Sequence, residues 1–214
     1  MEPLGGVRLL DSSAPRWLNM SDTEFEGTYS SVPRVNGSLL QRRLCRGLSD
    51  TLDCVPTDSQ LRKKPLVLHL GLPLPSRLRF YIYGATQHAT ERQVGTFKVQ
   101  LTRGLDTSPP SKRMSFDRSG NIRPILIGYA SDLDVFILWD ADLHDAGEGF
   151  SYSKNVQAPP ELVWSALTRG QAEGHRRLRS SGVDERIVAC RPNHLIRALK
   201  RRIELSNATL LGQP

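Results

Sequence analysis

The sequence predicts an α+β fold: a mainly antiparallel β-sheet with C-terminal helices packed on it. Two observations lead there. The middle of the chain is a series of short runs rich in β-branched and aromatic residues, separated by turn-forming residues. The last third then places apolar residues at helical spacing, as in "PNHLIRALKRRIEL".

Taken in order, residues 1–34 mix Gly, Pro, Ser and acids with isolated apolar residues and read as an irregular arm. From Asn36 to Leu52, Leu39, Leu40, Leu44 and Leu48 fall on one helical stripe, with Arg42, Arg43 and Arg46 largely off it. "VPTDSQLRKKP" follows as a basic linker ending in a helix-stopping proline. Strands are expected at 66–72, 78–85, 95–102, 124–130 and 134–141. Within "RFYIY", Phe80 and Ile82 should share one face, and Tyr81 and Tyr83 the other. Residues 106–121 are too polar and Pro/Gly-rich for a core and read as an exposed, partly basic loop. "PPELVWSALTRGQAEGHRRLR" opens with prolines and an acid, good chemistry for a helix start, although Gly170 and Gly174 weaken it. "ERIVACR" reads as a short buried strand. A last helix turns Leu195, Ile196, Leu199 and Ile203 inward. The expected organisation is an N-terminal arm and helix (1–65), an α+β domain (66–205) and a short tail (206–214).

Composition narrows the class. With 38% hydrophobic and 24% charged residues, the chain reads as soluble and globular. No apolar run approaches the roughly 20 residues that span a bilayer, and acids and prolines precede any apolar run, unlike a secretion signal. Three scattered cysteines suit neither a disulfide scaffold nor a zinc cluster, so a reduced, cytoplasmic setting is expected. The 29 Lys and Arg against 22 Asp and Glu leave +7, a balance that favours polyanions, because neutralised phosphates release counterions.

The order of motifs carries a resemblance. "LRFYIYGATQHATERQVGTFKVQL", "RPILIGYASDLDVFILWDADLH", "FSYSKNVQAPPELVWSAL" and "VACRPNHLIRALKRRI" follow one another over residues 66–203. This series resembles the domain that precedes the HNH nuclease module in a group of bacterial restriction endonucleases. The resemblance implies a DNA-related role in restriction or phage defence, with the domain supplying target recognition. The HNH module does not carry over: the five histidines are widely separated and none sits in a ββα-metal pattern.

Three groups of residues are candidates for the chemistry. In the segment 150–157, Ser151, Ser153, Asn155 and Gln157 alternate onto one polar face if the backbone is extended. Amides pair with adenine, while Ser153 and Lys154 suit phosphates. Arg176, Arg177 and Arg179, with Lys200, Arg201 and Arg202, concentrate positive charge late in the chain for a phosphate-gripping strip. Asp140 and Asp142, at a strand end, form a carboxylate pair that would serve as catalytic metal ligands for Mg²⁺ in a compact endonuclease. No lysine stands two residues on, and turn and strand-exit roles compete. Tyr81, Tyr83 and Trp139 are an aromatic set for stacking a base, against the commoner role of strand aromatics in a core. The leading expectation is a DNA-binding, target-recognition protein that needs no cofactor. Its partners would be double-stranded DNA and a nuclease or methyltransferase. The alternatives are the Mg²⁺-dependent nuclease and a protein–protein adaptor.

Overall fold

The computed structural model describes residues 37–87, 94–101, 113–145, 149–150, 154–178 and 182–212. The expected N-terminal arm, Ser151, Ser153 and Arg179 lie outside the described residues. The strands are β1 (Leu66–His69), β2 (Arg77–Gly84), β3 (Thr86–Gln87), β4 (Phe97–Gln100), β5 (Arg123–Ala130), β6 (Val135–Trp139), β7 (Asn155–Ala158), β8 (Gln171–Arg177) and β9 (Asp184–Cys190). The α-helices are α1 (Gly37–Gly47), α2 (Ala141–His144), α3 (Pro160–Arg169) and α4 (Leu195–Leu210).

Among the described residues, six strands form one sheet in the order β1-β2-β5-β6-β9-β8, and three form a smaller one in the order β3-β4-β7. Every neighbouring pair is antiparallel except β2 and β5, which run parallel with Phe80 opposite Ile125. The fold is α+β, as the sequence predicts.

The central strands explain the shape of the core. In β6, "VFILW" is buried at every position, and in β5 only Arg123 is partly open. A strand that is apolar at successive positions must be covered on both faces. On one face Leu40 and Leu44 of α1, Leu48 just beyond its end, and Leu195, Leu199 and Leu205 of α4 join Phe80, Ile127 and Leu138. On the other, Phe97, Val99 and Val156 of the small sheet and Leu162 and Val163 of α3 join Leu126, Ile137 and Trp139. Leu44 and Leu48 are fully buried, so truncating either to Ala should cost about 2–5 kcal/mol. Helix α1 therefore contributes to the same core as the strands that follow it. The small sheet lies close to β5: a Cβ at Gly128 would stand 2.8 Å from both Trp139 and Val99. As expected, Phe80 and Ile82 enter the first cluster, while Tyr83 enters the second with Tyr81 packed against it.

One element differs from the sequence reading. The helix that opens at Pro160 ends at Arg169, and "QAEGHRR" is strand β8 rather than more helix. Gly170 takes φ +81°, the left-handed conformation that stops helices, and the chain turns back to pair with β9 from Gln171↔Cys190 to Arg177↔Asp184. As the sheet's edge, β8 needs no continuous apolar pattern, which leaves it looking like a polar helix end.

Candidate functional site

The small sheet sorts its residues by strand alternation. Phe97 and Val99 on β4 and Val156 and Ala158 on β7 are buried beneath it. The alternate positions face away from that core: Lys98 stands opposite Gln157, and Gln100 opposite Asn155. Thr86 of β3 lies across from Lys98 on the same face. Gln100 and Asn155 are exposed, and Lys98 and Gln157 half-buried. No described residue of these three strands is acidic.

Arg176 closes the β7 side of this face. Its Nη2 donates to Gln157 Oε1 at 2.7 Å and its Nη1 to the Gln157 carbonyl at 3.3 Å. That carbonyl also accepts from the Trp139 indole at 2.9 Å. Lys154, just before β7, turns the opposite way. Its Nζ donates to the His144 carbonyl at 2.9 Å, and burial lowers its pKa against the opposing pull of Glu185 and Asp145.

The late arginines do not form a single strip. Alternation along β8 places Arg176 on the small-sheet side and Arg177 on the α4 side, in line with Glu173. On α4, Lys200 is exposed, whereas Arg201 donates from Nε to Glu173 Oε1 at 2.7 Å. Glu173 is also paired with Arg186, and the hydrogen bond from Arg201 is the main cause of its lowered pKa. Arg202 points inward and is 2% exposed. Its Nη2 donates to Asp140 Oδ2 at 2.9 Å and its Nη1 to the Arg186 carbonyl. Burial is the leading influence on Arg202 and pulls its pKa down, ahead of the attraction of Asp140.

The acids after β6 have structural partners. Asp140 Oδ2 also accepts from Ser206 Oγ at 3.1 Å, and its Oδ1 caps α2 by accepting from the Asp142 N–H at 3.0 Å. Asp142 itself pairs with Arg118 at 2.7 Å. Asp145 takes the other arm of Arg118 and the Phe116 N–H, while His144 Nε2 meets Glu185 Oε1 at 2.9 Å. A Mg²⁺ ion at Asp140 would have to displace a buried guanidinium, so the pair as placed does not fit the metal. Among the described residues, no group of three or more His, Cys, Asp or Glu is disposed to hold a metal ion. Tyr83 and Trp139 are buried in the second core, and the Tyr81 hydroxyl accepts from the Asp117 N–H at 2.8 Å.

A family model described as methylase-associated X1 matches residues 76–199. The chain belongs to the methylase-associated X1 family. No curated protein and no solved structure matches it. The family's description agrees with the restriction–modification context implied by the sequence resemblance and says nothing of an HNH module.

The part of this methylase-associated X1 chain that the model matches runs from the start of β2 into the first turns of α4. It contains Lys98, Gln100, Asn155, Gln157 and Arg176, and leaves out Lys200, Arg201 and Arg202. Lys98 and Gln100 are not among the candidates drawn from the sequence. The signal was present in "TFKVQL", whose alternation mirrors that of "NVQA". Among the described residues, no helix of the methylase-associated X1 chain is long and apolar enough to cross a membrane.

Proposed function

We propose that this chain is a target-recognition component of a restriction–modification system and contacts double-stranded DNA through the outer face of its small sheet. The observation that best supports this reading is the ladder of Lys98–Gln157 and Gln100–Asn155. Four polar side chains without an acid share one face, with the Arg176 guanidinium held beside them by Gln157. Lysine and arginine hold phosphates and guanine edges, and amides pair with adenine. Two adjacent strands, about 4.8 Å apart, fit the roughly 12 Å width of a major groove. The net charge of +7 favours the same ligand. A methylase or nuclease would supply the chemistry, and recognition itself requires no cofactor.

Fluorescence anisotropy with a labelled duplex across a salt series tests the reading. Lys98→Ala and Arg176→Ala should each weaken binding and reduce the salt slope by roughly one. Arg177→Ala and Lys200→Ala, on the opposite side of the large sheet, should leave both unchanged. The reverse pattern would move the interface to α4. A folded protein that binds no duplex at low salt would remove DNA as the ligand.

A further inference from the structure

Gln100 and Asn155 are directly opposed across the β4–β7 pair, and both are exposed. Neither side chain has a hydrogen-bond partner among the described residues, whereas Gln157 is engaged by Arg176. Asparagine is depleted in strands, so sheet propensity does not account for its place in β7. Opposed side chains in an antiparallel pair have Cβ atoms about 5 Å apart, while successive bases on one strand are about 3.4 Å apart. With the flexible glutamine stem taking up the difference, the two amides can address neighbouring bases.

We propose that this amide pair reads adenine at its major-groove edge and thereby distinguishes adenine from N6-methyladenine. The inference rests on the DNA-contacting reading above and adds the base and the modification. A side-chain amide pairs with adenine by donating N–H to N7 and accepting from the N6 amino group. In a base pair, one N6 hydrogen is committed to thymine and the other faces the groove. A methyl group on N6 takes the place of that groove-facing hydrogen. The amide oxygen then loses its donor and meets an apolar group, leaving a desolvated acceptor without a partner. Recognition is therefore expected of unmethylated sites and not of methylated ones, a discrimination suited to a chain of the methylase-associated X1 family.

The test uses the full chain and a duplex library with a randomised core, synthesised in parallel with adenine and with N6-methyladenine. The retained fraction and the enriched sequences are read at low and moderate salt. The wild-type protein should enrich adenine-containing cores from the unmodified library and retain the methylated one about 10-fold less well. Gln100→Ala/Asn155→Ala should retain the unmodified library no better than the methylated one. Both positions are exposed, and a matched unfolding curve confirms that this variant folds. Equal retention of both libraries by the wild type would overturn the adenine inference and leave DNA contact standing. A preference that survives in the double variant would also overturn it. Failure to retain either library at low salt would instead overturn the DNA-contacting reading, and this inference with it.

Discussion

Replacing Asp140 with alanine should unfold the protein more readily rather than disable a catalytic step. Asp140 and Arg202 are each 2% exposed at the side chain and stand 2.9 Å apart. Without the carboxylate, the guanidinium stays buried with the Arg186 carbonyl as its remaining described acceptor, and Ser206 loses its acceptor too. Breaking a buried ion pair from one side costs about 3–5 kcal/mol, a large share of the roughly 5–15 kcal/mol that a domain possesses. With a urea slope of about 2–3 kcal/mol/M, the unfolding midpoint should fall by roughly 1–2.5 M. Replacing both partners with apolar residues, as in Asp140→Leu/Arg202→Met, should recover most of that loss, because burial already opposes the charge on Arg202. Urea denaturation followed by circular dichroism measures all three proteins. An Asp140→Ala midpoint indistinguishable from wild type would refute the structural role. A double variant as unstable as the single one would instead refute the unpaired buried guanidinium as the cause of the loss.

Two further predictions concern the scaffold. Gly170→Ala places a side chain at φ +81° and drives its Cβ into the His194 ring, so it should cost about 1–3 kcal/mol or more; an unchanged thermal midpoint would show that the turn tolerates a side chain. Asp134 has its pKa lowered chiefly by the hydrogen bond from Arg43, which reaches Asp134 Oδ1 at 2.8 Å. The folded state therefore binds fewer protons there than the unfolded chain. This contribution is complete above the ordinary aspartate value of about 3.9 and is lost as pH falls through the lower folded value. Arg43→Met should thus lower the urea midpoint near neutrality, with the gap narrowing as the pH falls below the ordinary aspartate value; a gap independent of pH would point to packing by the arginine stem instead.

The sequence made the middle of the fold legible because β5 and β6 are covered on both faces. Strands in that position have to be apolar throughout, and "PILIGYA" and "DVFILWDA" are. It concealed β8 because an edge strand is released from that demand, and "QAEGHRR" continues a helix's polar side without a visible break except Gly170. By local charge Arg202 groups with its basic neighbours, yet the buried positions of α4 run 195, 198, 199, 202, 205 and 206. An arginine on that stripe needs a buried acid, and Asp140 lies at the end of an entirely apolar strand. The pairing joins residues 62 positions apart, a separation that no local pattern reports. On the candidate face, Asn155 and Gln157 were readable from alternation alone. Their neighbours Lys98 and Gln100 alternate in the same way in "TFKVQL", but only the β4–β7 register shows that they share that face.

The parallel pairing of β2 with β5 has a consequence for how such a protein changes over time. Strands that run the same way cannot be joined by a tight hairpin, so the chain must make a long excursion between Gly84 and Arg123 before rejoining the sheet. Strands β3 and β4 belong to that excursion, and β7 belongs to a second detour between α2 and α3. Substitutions on the outward positions of these detours leave the central pairings untouched. A lineage can therefore rewrite the outward residues of two peripheral stretches, while the frame that carries them is inherited intact.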